Sequence, residues 1–141
     1  GEVIIQTRHP EHPIMTAVLE KDWRSLSAQL LSSREAQGLP PNGALAALRC
    51  DSANPESGAA FLLAVMNAYR GTSPDLSTRL VGPLSAPVAR RAGLYRSHIV
   101  ITGPQRSKVH ASVKALVAIA SAQKSPKGLR WFVDIDPSEP L

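Results

Sequence analysis

The stretch Gly103-Pro104-Gln105-Arg106-Ser107-Lys108 is where residue type and spacing in this sequence most favour binding chemistry. Gly-Pro opens a helix, and a helix start presents backbone N–H groups without intrahelical partners at the positive end of the macrodipole. Arg106 and Lys108 stand in that first turn against the dipole preference for acids, a conflict most easily tolerated where an anion is to be held. Arg106 and His110 lie four residues apart and share a face, which Lys114 extends by another turn. A carboxylate or a phosphate meeting Arg106, Lys108, His110 and Lys114 finds a forked donor, further cations and free amides. A second cluster is Arg90-Arg91 with Tyr95-Arg96, where bases flanking one aromatic can hold a phosphate while a base stacks on Tyr95. Aromatics make up only 4% of the chain, and Trp23, Phe61, Trp131 and Phe132 read as core. Such a surface reads phosphates and has little capacity for sequence.

Other groups carry less chemistry. His9, Glu11 and His12 suggest a metal site, but Pro10 and Pro13 prevent the helical spacing that brings two imidazoles onto one ion, so we read a loop. His98 falls on a strand and reads as a satisfied, half-buried residue rather than a ligand. Asp134 and Asp136 would share a strand face, which leaves a Mg²⁺ pair for nuclease work as an enzymatic alternative. We read them instead as an acidic C-terminus, with Glu139, folded back against adjacent bases. There is no Gly-x-x-x-x-Gly-Lys-Ser/Thr loop, no Gly-x-Gly-x-x-Gly and no Gly-x-Ser-x-Gly. We therefore expect no catalysis, no metal and no cofactor in this segment itself.

Charge is segregated. From Leu76 to Val133 there is no Asp or Glu, and ten of the sixteen Lys and Arg lie there. The remainder holds six bases against eleven acids, so the net charge of +5 arises from this one segment (10 + 6 − 11). Like charges held together point to a polyanion or an acidic peptide as partner. At 141 residues and 43% apolar content, the chain can bury one real core. No apolar run is long enough to span a bilayer, and Val3 to Ile5 is too short for a signal peptide. A single cysteine, Cys50, excludes an internal disulfide and fits a reducing, cytoplasmic setting. A start at Gly1, directly in what reads as a strand, leads us to expect a piece of a longer polypeptide.

The elements that must position these groups follow from period and punctuation. Glu2–Thr7 reads as a short strand, and Ile14, Val18 and Leu19 as a short helix to about Glu20. Asp22 can cap a second helix, Trp23 to Gln37, with Trp23, Leu26, Leu30 and Leu31 on one stripe. Gly38 ends it, and Leu39-Pro40-Pro41 is a rigid turn at which we divide the chain into 1–38 and 39–141. Beyond it come a strand (Ala44–Cys50), a helix (Glu56–Arg70), a short strand (Thr78–Val81), a basic loop (Gly82–Gly93), a strand (Leu94–Thr102), a helix to about Gln123, and a last strand (Leu129–Ile135). This β-α-β-β-α-β order predicts an α+β domain of split ferredoxin-like type, two helices on one face of a four-stranded antiparallel sheet.

Several short pieces then combine. Gly1–Thr7 with His9-Pro10-Glu11-His12-Pro13, the Leu39-Pro40-Pro41 turn, Val81-Gly82-Pro83 with Pro87 and the bases after it, and Trp131-Phe132-Val133-Asp134-Ile135-Asp136-Pro137 together resemble the C-terminal region of primosomal protein N′, the PriA-type replication-restart DNA helicase family. The resemblance covers essentially the whole chain. It implies that residues 1–38 close the second helicase lobe and that 39–141 is similar in fold to a small ribosomal subunit protein. It also implies a parent that uses ATP, with Mg²⁺ and zinc bound upstream, to unwind branched DNA alongside other primosome proteins. The domain itself would bind fork or single-stranded DNA and dock the acidic tail of single-stranded DNA-binding protein. The Arg of the family's peptide pocket falls on Arg106, and a neighbouring Gln falls on His110. Asn42 stands where the family often has an aromatic residue. The alternative from another class is an RNA- or ribosome-associated basic module, for which residues 1–37 would be superfluous.

Overall fold

The computed structural model describes residues 1–72 and 74–138. Two helices come first, α1 (Pro13–Leu19) and α2 (Trp23–Ala36). Then follow β1 (Ala44–Ser52), α3 (Pro55–Arg70), β2 (Arg79–Arg91), β3 (Leu94–Gly103), α4 (Arg106–Ala122) and β4 (Arg130–Ile135). The domain is thus α+β, with a four-stranded antiparallel sheet in the order β2-β3-β1-β4.

The caps follow residue chemistry. Asp22 Oδ1 accepts from Ser25 N at 3.0 Å to start α2, and Asn54 Oδ1 accepts from Glu56 N at 2.8 Å to start α3. Helix α3 turns Phe61, Leu62, Val65, Met66 and Tyr69 inward, and α4 turns Val109, Val113, Leu116 and Ala120 inward. Both lie over the sheet face that carries Ala46, Leu48, Cys50, Ile99 and Ile101, and the core sits between. A buried polar chain stitches these layers: Tyr69 Oη donates to Ser112 Oγ at 2.8 Å, and Thr78 Oγ1 is 2.9 Å from the same oxygen. Burial, aided by Asp51, pushes the Cys50 thiol up to about 11, which suits an inert core residue.

Four expectations are corrected. Residues 2–7 are not a strand: they are exposed, and none of the four strands pairs with them, so propensity alone does not hold them extended in a ladder. The stripe on α2 is not core, because α1 and α2 pack chiefly on each other; Trp23 is 61% exposed. Phe132, also read as core, is 44% exposed, while Phe61 is buried and Trp131 packs against the core. Finally, Gly82–Gly93 is not a loop. The second strand runs on to Arg91 as a long arm paired with β3 and turns at Ala92-Gly93, both at positive φ (49° and 82°), the geometry of a two-residue hairpin. Pro83 and Pro87 suggested a loop, but β2 is an edge strand, where a missing N–H is tolerated and register shifts absorb the irregularity.

Candidate functional site

The two clusters singled out in the sequence lie at opposite ends of the sheet. The start of α4 follows β3 at the end marked by Ala44, Gly103 and Ile135, whereas Arg91, Arg96 and Arg130 stand at the end marked by Ser52 and Tyr95.

At the α4 end, the N-cap Gln105 makes no side-chain hydrogen bond and the first turn holds no acid. Arg106, Lys108, His110 and Lys114 are all exposed. Helical spacing keeps Arg106, His110 and Lys114 on one flank of the buried stripe and turns Lys108 to the other. There Lys108 Nζ meets Asp75 Oδ2 at 2.6 Å. Arg106 Nη2 meets Asp136 Oδ2, also at 2.6 Å. The glycine of Gly103-Pro104 is a close-approach point, since a Cβ there would lie 3.1 Å from Val109 Cγ2 and 3.2 Å from Thr78 Cγ2.

At the other end, the expected Arg90–Arg96 cluster divides. Arg90 lies over the Tyr95 ring, its guanidinium carbon 5.2 Å from the centroid. Arg91 and Arg96 instead line a cleft of about 570 Å³ on the sheet face turned away from α3 and α4. Strand alternation explains the division, because Tyr95 and Arg96 point to opposite faces. The cleft is completed by residues whose role the sequence did not disclose: Arg49 and Asp51 from β1, with Arg130, Phe132 and Asp134 from β4. Arg49 directly follows the apolar run Ala44–Leu48 inside a strand, which was the available signal.

Arg49 Nε donates to Asp134 Oδ2 at 3.0 Å, while Asp51 lies 4.0 Å from Arg96 Nε and 3.6 Å from Arg130 Nη2. Asp134 and Asp136 do not share a strand face as expected. The fourth strand ends at Ile135, Asp136 takes φ 50°, and the two carboxylates serve Arg49 and Arg106 separately. Among the described residues no three His, Cys, Asp or Glu side chains gather as metal ligands. Glu139, expected to join the acidic C-terminus, lies outside the described residues. His12 Nδ1 accepts from Ile14 N at 3.2 Å and so caps α1, and His98 is buried beside Arg49 across the β1–β3 pair. No described helix is long and apolar enough to cross a membrane.

The family model described as the primosomal protein N C-terminal domain matches residues 35–138. The chain belongs to that family. The replication restart protein PriA of Haemophilus influenzae is 24% identical over 99% of this chain, which spans 19% of that protein. Its namesake in Synechocystis is 30% identical over 97% of the chain, which spans 16% of it. Among solved structures, the de novo designed protein Foldit4 is similar at TM-score 0.48 and 12% identity, over 69% of this chain and 99% of that one. The match of the primosomal C-terminal family ends at residue 138, so it takes in both the α4 start and the arginine cleft.

Proposed function

We propose that the chain is the accessory C-terminal domain of a replication-restart DNA helicase. In this role it binds branched or single-stranded DNA and docks the acidic tail of single-stranded DNA-binding protein. Family membership and relatives named replication restart protein support the setting. ATP, Mg²⁺ and zinc chemistry then belong to the whole protein, along with its other primosome partners and a cytoplasmic location. The split ferredoxin-like assignment is part of the same proposal. It is supported by the sheet order β2-β3-β1-β4 and by α3 and α4 lying side by side on one face. The division at residues 38 and 39 is supported by α1 and α2 packing chiefly on each other.

The observation that carries the binding roles is the exposed cation pair in an acid-free first turn of α4 without a side-chain cap, inside a segment that has no acid from Leu76 to Val133. Arg106 pairs with the terminal carboxylate of the peptide, and Lys108, His110 and Lys114 add charge around it. Arg90, Arg91, Tyr95 and Arg96 contact phosphates at the hairpin end.

Fluorescence anisotropy of a labelled acidic tail peptide, titrated with the chain and with Arg106→Glu, tests the peptide role. Binding that the variant loses supports it, and equal binding by both removes Arg106 from the site. For DNA, Arg90→Ala with Arg91→Ala should weaken all sequences alike and flatten the salt dependence by about two phosphate contacts. An unchanged slope would sink the DNA role of the hairpin.

A further inference from the structure

On the face of the sheet turned away from α3 and α4, three arginines from three adjacent strands line one cleft: Arg96, Arg49 and Arg130. Among the described residues, Asp51 and Asp134 are the carboxylates that line the cleft beside these arginines. Arg49 is only 4% exposed, yet its Nη2 has no hydrogen-bond partner among the described residues. A buried guanidinium N–H without an acceptor is costly to the fold, and an anionic oxygen entering the cleft would relieve that cost with a charge-assisted bond.

Phe132 is directly opposite Arg49 across the β1–β4 pair and so shares its face, and it is 44% exposed. The residues on either side of it, Trp131 and Val133, pack against the core instead. A ring held open to solvent on a sheet, surrounded by arginines, is the platform on which an unpaired base stacks. An acidic peptide would use the cations and leave the ring idle. A duplex would keep its bases stacked on one another and could not use the ring either.

We propose that this cleft holds a phosphate of a single-stranded nucleic acid between Arg49, Arg96 and Arg130 while the adjoining base stacks on Phe132. This rests on the nucleic-acid half of the function proposed above. It adds strandedness and moves the principal contact from the hairpin tip to the open face of the sheet.

The test is anisotropy with the full chain and labelled oligo(dT), oligo(U) and an abasic strand of equal length, at several salt concentrations. Phe132→Leu should weaken oligo(dT) or oligo(U) by roughly tenfold, while leaving the abasic strand nearly unchanged. Phe132→Tyr keeps a ring and should bind like the parent. Arg130→Ala should weaken every strand and lower the slope of log affinity against log salt by about 0.7, one phosphate of a single strand. Coincident thermal melts confirm that the variants fold. A loss shared by oligo(dT) and oligo(U) gives both nucleic acids the same site, and a loss confined to one identifies it. If Phe132→Leu and Arg130→Ala bind as the parent does while the Arg90/Arg91 double variant is weakened, the cleft proposal is overturned and the nucleic-acid role survives at the hairpin. If the unaltered chain binds no strand, both fall. Acidic peptide binding lost in Arg130→Ala, without oligonucleotide binding, would also overturn the cleft proposal in favour of a peptide.

Discussion

Arg106 Nη2 lies 2.6 Å from Asp136 Oδ2, an ion pair that ties the first turn of α4 to the residue just beyond β4. The side chain proposed to receive a peptide carboxylate is therefore already held by a carboxylate of the chain itself. Both partners are well exposed, 67% and 40%, so the pair is weak and exchangeable rather than a lock. Its effect is to hold the guanidinium in place while competing with an incoming anion.

Removing the competitor should strengthen docking. Asp136→Asn should raise affinity for an acidic tail peptide by about two- to fivefold, the worth of one exposed ion pair. The gain should vanish in the Arg106→Glu background. Anisotropy with the same labelled peptide decides it. An affinity that does not move in Asp136→Asn would mean that the pair and the peptide do not compete for Arg106.

Lys108 is committed elsewhere, to Asp75. Its hydrogen bond, followed by those from the Ser77 side chain and backbone, holds the Asp75 carboxyl well below the usual carboxylate range. The sign follows directly. The unfolded chain takes up the proton first, so the stabilisation is present above the ordinary carboxylate pKa and is lost as pH falls through the folded value. Lys108→Ala should move the Asp75 titration back up towards the ordinary range, read by carboxyl-carbon NMR across the acid limb. An unmoved titration would show that Ser77 alone holds the carboxylate.

Local chemistry was the legible part of this chain. Phe61, Leu62, Val65, Met66 and Tyr69 at helical spacing mark the inner face of α3, and Asp22 announces its cap before any pairing is known. What was not legible depends on neighbours. Nothing in Val3-Ile4-Ile5 says whether a strand will be there to pair with it. Pro83 and Pro87 read as loop until β2 is known to be an edge strand. Trp23 has the composition of core and the position of surface. The cleft is the clearest case. Arg49, Arg96 and Arg130 come from three strands, and only the registers Asp51↔Arg96 and Asp51↔Arg130 bring their end of the sheet together. Each alone reads as one more base.

His98 supplies the last prediction. It is 1% exposed, and neither ring nitrogen has a partner among the described residues. Burial first, then the Arg49 and Arg96 charges, push its pKa below the ordinary imidazole value. The folded protein therefore keeps it neutral at pH values where the unfolded chain, titrating near ~6.5, binds a proton. The unfolded state then holds more protons, so stability rises with pH in this window and is lost as pH falls below the unfolded value towards the folded one. Urea midpoints at pH 7.5 and 5.5 should show the parent losing stability on acidification and His98→Leu losing less. At pH 7.5 the leucine variant should be close to neutral or more stable, because it removes two unsatisfied nitrogens, each costing about 1–3 kcal/mol when buried. An identical acid loss in both proteins would assign the pH dependence to other groups. A large destabilisation at pH 7.5 would mean that the imidazole, and not merely its volume, is what this face of the sheet requires.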